Sequence, residues 1–284
     1  MTSTLPTRAS IQGRFDPGEN VLRTANPHLY FRMDSTATGF YETAVQGRAP
    51  DTSTRRERID VVTGVRKGQS YLYWRGDRLY QHPVSHWAGF GWTNSPGYRD
   101  GVLNFDRPIY PRCLECHSSG FQSVADSNVL NRYQPGAALL GITCEVCHGS
   151  GRDHVARERS LLSRLRGRAI VNPARLPRAR QLDACALLER SACFRSSQMT
   201  CATCHDVHRE QRDVVALSVR CLTCHNPQSS GFPARHGDRV MGRCMDCHMP
   251  LQPSQILVSN SLGHQLRPQV RSHWIKVYPE LGSP

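Results

Sequence analysis

The chain has 284 residues, of which 38% are hydrophobic, and its 36 Lys+Arg against 23 Asp+Glu give a formal net charge of +13 at neutral pH. That length allows one or two domains, the composition is thin for a large apolar core, and no stretch is long and apolar enough to read as a membrane span. The opening MTSTLPTRAS has neither the basic start nor the apolar middle of an export signal.

Residues 1–27 carry Pro, Gly and Thr without periodicity and read as an N-terminal arm. Residues 28–109 read as a small β-rich region: GFYETAVQ alternates, RIDVVTG is a β-branched run, and SYLYWRGDRLYQHPV reads as two strands joined at Gly76-Asp77. From residue 110 onward long apolar runs are scarce. A helix is expected in GRDHVARERSLLSRLRGRAIV, opened by a glycine hinge, with Val155, Leu161, Leu162 and Leu165 near one face. A second short helix is expected in REQRDVVALSVRCLTCH, and the tail PQVRSHWIKVYPE reads as extended and stopped by Pro279.

Residues 110–284 also contain one five-residue unit five times, as Cys113-Leu-Glu-Cys116-His117, Cys144-Glu-Val-Cys147-His148, Cys201-Ala-Thr-Cys204-His205, Cys221-Leu-Thr-Cys224-His225 and Cys244-Met-Asp-Cys247-His248. With 12 Cys and 13 His in the chain, chance would produce on the order of 0.02 such units. Two thiols three residues apart reach the two vinyl groups on one edge of a porphyrin, and the adjacent imidazole then lies under the iron, which is the signature of covalent haem c attachment. A structural zinc site needs four ligands and gives no reason for His to follow the second Cys every time. A disulfide has no use for the histidine. Five covalent haems are therefore expected. Their flat apolar faces would supply the core that the sequence lacks, and the β-rich region is expected to pack on the first of them.

Haem also changes the meaning of the charge. Each brings two propionates, for which Arg is a suitable bidentate partner, so much of the basic surplus reads as internal neutralisation and not as a nucleic-acid surface. Attachment of haem c takes place outside the energy-coupling membrane, so a periplasmic or extracellular location is expected, with the export signal missing from this sequence.

The proximal histidines His117, His148, His205, His225 and His248 leave eight others as possible sixth ligands. His154 stands six residues after His148, behind Gly149 and Gly151, which let the backbone turn. His208 follows His205 too closely to cap the same iron and would serve a neighbouring haem. His236 lies in a glycine-flanked loop before the fifth unit, His273 in an extended tail that can lie across a haem face, and His28 at the start of the β-rich region. His82, His86 and His264 are weaker candidates, and Met199 and Met249 read as packing residues beside haem units.

The stretch GDRLYQHPVSHWAGFGWTNSPGYRDGVLNFDRPIYPRCLECH, with ITCEVCHGSGRDHVA, MTCATCHDVHREQR and GRCMDCHMP, resembles the multihaem c-type cytochromes of the cytochrome c554-like group, in particular large bacterial ones that carry tetratricopeptide repeats. The similarity spans roughly residues 28–280. It implies a multihaem cytochrome c fold, with a small β-rich N-terminal region followed by a haem-packed, mostly irregular chain with short α-helices. It further implies bis-histidine haems in close-packed pairs, with His154, His208 and His236 as distal ligands. Two features depart from the group: a further N-terminal haem and a C-terminal repeat domain are absent, and LDACALLERSACF stands where relatives carry another haem unit. That haem is expected to be lost, leaving Cys185 and Cys193 to pair with each other.

The expected function is electron transfer along five covalent haems between redox partner proteins. Two alternatives stand beside it: an oxidoreductase acting on nitrite, hydroxylamine or a similar small substrate at one open iron, and an electron-carrying subunit of a larger redox complex or filament. No nucleic-acid partner is expected.

Overall fold

The structure, a computed structural model, describes residues 3–65, 67–115, 117–124, 129–148, 187–206, 208–209, 211–226 and 242–279. Cys116, His154, His236, Cys185 and the helix expected over residues 151–171 lie outside the described residues, as do the side chains of Cys147 and His148. The chain divides into two units, Met1–Arg178 with Leu257–Leu266, and Ala179–Ile256 with Arg267–Pro284.

The first unit contains two antiparallel sheets. One runs β2 (Val21–Arg23), β3 (Leu29–Thr36), β4 (Gly39–Arg48), β5 (Asp51–Arg58). The other runs β1 (Ser3–Thr4), β6 (Val61–Thr63), β7 (Gly68–Arg75), β8 (Arg78–Trp87), β10 (Arg107–Pro108), with β9 (Gly91–Asn94) on β8. Gly76 and Asp77 close the hairpin from β7 to β8, and Gly76 takes the positive φ of 63° that this tight turn demands. Alternation sets the inner faces. Leu29, Phe31 and Met33 of β3 point inward and meet Tyr73, Tyr80 and Val84 of the second sheet, with Phe105 between them. On β7, the intervening Leu72 points to the opposite side, where it joins Leu79, Ile109, Leu114 and Tyr133. The second sheet thus carries a core on each face, which is why nearly all of β8 is buried.

One inward position is not apolar. Glu42 of β4 falls between Phe40 and Ala44 in the same alternation and is 0% exposed. Its partners come from an irregularity in β8. Ser70 pairs with Ser85 and Leu72 with Gln81, so His82, Pro83 and Val84 together stand opposite Tyr71. Pro83 has no N–H to give, and the Val84 N–H donates to the Glu42 carboxylate at 3.2 Å. His82, also fully buried, places Nδ1 3.3 Å from Glu42 and Nε2 3.1 Å from the Arg58 carbonyl.

Residues 1–27, read from sequence as an arm, contribute β1 and β2, and Phe15 packs edge-on against Phe40 at 4.9 Å and Trp92 at 5.3 Å. Gln12 and Gln69 exchange hydrogen bonds with this segment, the Gln12 N–H donating to Gln69 Oε1 at 2.7 Å. Residues 257–266 belong to the first unit as well. They form the hairpin β14 (Ser259–Ser261) and β15 (His264–Leu266), tied to β9 through Thr93 and Ser259 hydroxyls 2.5 Å apart.

The described residues of the second unit form short helical turns and one antiparallel strand pair. Its helices are Ala192–Arg195, Cys201–Cys204, Val214–Val219 and Cys244–His248, with a 3-10 turn at Arg220–Thr223, and β13 (Leu251–Pro253) pairs with β16 (Gln269–Arg271). Among its described residues the only large apolar side chain in the buried class is Met245, while Val215, Val219, Leu251, Ile256 and Val277 are about half exposed or more, from 49% to 69%. By burial, its described residues form no hydrophobic core of their own.

Candidate haem sites

Each attachment unit folds as roughly one turn of helix, and this local fact does the positioning. Residues three apart on a turn share a face, so paired thiols project together while the histidine follows at the turn's end. In the first unit, Pro111 opens the helix α1 (Pro111–Leu114), which presents an exposed Cys113, and the His117 N–H bonds the Leu114 carbonyl at 3.0 Å. Leu114, 4% exposed, anchors this turn on the outer face of the second sheet.

The second unit is brought beside the first. The strand β11 (Ser118–Gly120), directly after His117, pairs with β12 (Leu139–Leu140), just before α2 (Cys144–His148). Ser119 Oγ donates to the Gly141 carbonyl at 2.8 Å and accepts the Thr143 N–H at 2.6 Å. Exposed Leu139 (57%) and Ile142 (43%) flank this junction.

The remaining three units lie in the second part of the chain. The turn Cys201–Cys204 is fixed by a reciprocal cap between Thr200 and Thr203, and the His205 N–H bonds the Cys201 carbonyl at 2.8 Å. In the fourth unit, Asp213 caps Val214–Val219 by accepting the Val215 and Ala216 N–H groups, and the chain then tightens into Arg220–Thr223, where the His225 N–H reaches the Cys221 carbonyl at 2.9 Å. Burial, together with the neighbouring thiols of Cys244, Cys204 and Cys193, pushes the Cys221 thiol up to about 11. Burial and then Cys193 raise the Cys204 thiol. The three units therefore face a shared region. Even so, no three His, Cys, Asp or Glu side chains among the described residues gather as ligands of one bare metal ion.

The fifth unit has the best-defined histidine. His248 Nδ1 lies 2.9 Å from the Lys276 carbonyl oxygen. A carbonyl only accepts, so Nδ1 carries the proton and Nε2 keeps its lone pair for a metal. Arg271 clamps the same turn: Nη1 donates to the carbonyls of Met245 and Met249, each at 2.9 Å, and Nη2 sits 3.2 Å from Asp246. The donor set of this turn, the thiols of Cys244 and Cys247 with the oriented imidazole of His248, fits covalent haem.

The distal candidates fare differently. The His273 ring centroid is 6.3 Å from that of His205, with its Nδ1 3.1 Å from the Arg271 carbonyl, and burial lowers its pKa, keeping the imidazole neutral. His208 is exposed, its Nδ1 3.8 Å from Asp206. His28 accepts a hydrogen bond from Arg48 Nε at 3.1 Å, so ligation there would require Arg48 to move. His82 has both ring nitrogens engaged inside the sheet core by Glu42 and Arg58, which removes it as a ligand. His86 packs edge-on against Trp92 at 5.1 Å, and His264 is exposed on the β14–β15 hairpin. Cys193 is half-buried near Cys204, and its expected partner Cys185 lies outside the described residues. Sequence reasoning missed Ser119, Ser191, Arg271 and the Lys276 carbonyl. Only the Arg beside a candidate ligand, in RSH, carried any signal for them.

The family model described as Cytochrome c554 and c-prime matches residues 101–149, the stretch that holds the first two attachment units. No curated protein and no solved structure matches the chain. Over this stretch the chain is similar to c-type cytochromes, a protein class that holds haem covalently and takes part in electron transport.

Proposed function

We propose that the chain carries five covalent haems c, one at each Cys-x-x-Cys-His unit, and conducts electrons along them between redox partner proteins outside the cytoplasmic membrane. The observation that carries this reading is that the described residues of the second unit form no hydrophobic core. Its described residues bury one large apolar side chain, Met245, yet hold three attachment turns and a set of half-exposed Val, Leu and Ile. A chain so built needs flat apolar groups to pack upon.

When bound, haem supplies reversible one-electron chemistry at iron. The chain's own residues do the rest. Paired thiols would hold each haem at a helical turn, the adjoining imidazoles would bind its iron, with His248 kept in one tautomer by the Lys276 carbonyl, and spare histidines would supply the further ligands. Saturated ligation favours exchange through the porphyrin edge over bonding a substrate. Arg residues pair with propionates, and those left over form a basic surface for an acidic partner.

The test is mass spectrometry of the denatured protein together with ligand binding. Five haem masses, rapid oxidation of the reduced protein by a soluble acceptor, and no binding of carbon monoxide or nitrite are the expected results. Tight binding of either ligand at one haem would replace electron transfer with an oxidoreductase reading.

A further inference from the structure

We infer that His205 and His273 are the two axial ligands of one iron, that of the haem attached at Cys201 and Cys204. The inference rests on the haem reading above and adds the pairing. The two ring centroids are 6.3 Å apart and the ring planes are 33° from parallel. Two imidazoles on opposite sides of one iron, each bonding nitrogen about 2 Å from the metal and each ring centre roughly 1.2 Å further out, stand about 6–6.5 Å apart, centre to centre. The observed centroid separation falls within that span.

Protonation agrees with this role. His273 Nδ1 faces the Arg271 carbonyl at 3.1 Å and therefore carries the hydrogen, which leaves the Nε2 lone pair as the donor. Nor is His273 at the end of a loose tail. Fully buried Ser191 grips the backbone on both sides of it: Oγ–H donates to the His273 carbonyl at 3.2 Å and Oγ accepts the Ile275 N–H at 2.8 Å. The next ring, Trp274, lies under Arg190 at 3.7 Å and Lys276 at 4.2 Å. His208, the other nearby candidate, points to Asp206 from an exposed position.

The same tail serves the fifth unit, because the Lys276 carbonyl receives the His248 Nδ1–H and Arg271 holds the Cys244–His248 turn. One segment, residues 271–276, thereby supplies the sixth ligand of the third haem and orients the proximal ligand of the fifth.

The experiment uses the full-length protein matured with its haems and examined by low-temperature electron paramagnetic resonance. His273→Ala should convert one haem of five to high spin without loss of haem mass, and added imidazole should return it to low spin. In a Cys201→Ala/Cys204→Ala background, which lacks the third haem, adding His273→Ala should produce no new high-spin signal. If His273→Ala does not accumulate, His273→Met decides: the midpoint potential of one haem should rise, and no such rise should occur in the Cys201/Cys204 background. A fully low-spin His273→Ala protein with its five haems overturns the pairing and leaves the electron-transfer reading intact. A high-spin signal that persists in the cysteine background also overturns it, since His273 would then serve another iron. Wild-type protein with no covalent haem would remove the reading on which the pairing stands.

Discussion

Glu42→Ala should destabilise the β-rich unit more than any surface change could. The carboxylate is 0% exposed, accepts the Val84 N–H at 3.2 Å and lies 3.3 Å from His82 Nδ1. Leaving the buried Val84 N–H unsatisfied costs about 1–3 kcal/mol, and truncating a fully buried side chain to Ala costs about 2–5 kcal/mol in lost packing. The two arise at one site and do not add, so the expected loss is about 3 kcal/mol. Urea unfolding followed by circular dichroism measures it, with His82→Ala and the double variant completing a cycle. A pH test follows from the same site. Burial, opposed by His82 and the Val84 amide, raises the Glu42 pKa above its ordinary 4.5. The folded state therefore holds that proton more tightly than the unfolded chain. The resulting stabilisation is complete below pH 4.5 and is lost as pH rises through the folded value. Glu42→Gln, which does not titrate, should remove that slope. A loss under about 1 kcal/mol for Glu42→Ala, the scale of an ordinary substitution, would refute the network.

Arg271→Ala should cost about 2 kcal/mol, because charge-assisted bonds to Met245, Met249 and Asp246 hold the fifth turn; Arg271→Lys should recover part of it, and the shift in urea midpoint reports both. Removing the Cys144/Cys147 pair should lower the denatured mass by one haem and leave the others attached, as read by mass spectrometry. Cys193 should resist alkylation in the unreduced protein and react after reduction, since its partner is expected to be Cys185; peptide mapping distinguishes the two states. Oxidation of the reduced protein by an acidic acceptor should slow as salt rises, because a net charge of +13 exceeds what propionates neutralise.

What the sequence displayed was local. A five-residue unit states its chemistry without reference to the rest of the chain, and the turn at Gly76-Asp77 was visible because two adjacent residues determine it. Non-local pairing left no such trace. β1 is two residues long, too short for any period, and joins its sheet only through Val62 and Thr63 some sixty residues on. Residues 257–266 follow the last attachment unit in sequence, yet their serines bond Thr93 of β9. His82 looked like any other histidine. Its removal from the ligand set depends on Glu42, a charged residue whose inward place in the alternation of β4 could be read, but whose partner across the sheets could not. The pairing of His205 with His273 spans the chain in the same way.

The tail around His273 has a bearing on the order of events in making this protein. A polypeptide emerges from synthesis and export beginning at its N-terminus, so residues 271–276 appear after all five attachment turns. Until then the Cys244 turn has neither Arg271 nor the Lys276 carbonyl in place, and His205 has no His273 ring beside it. On the haem reading proposed above, the thiols of these two units would meet haem before the tail arrives and closes over them. Thioether formation would then precede closure, and a chain cut short before Arg271 would load its haems yet remain unlatched.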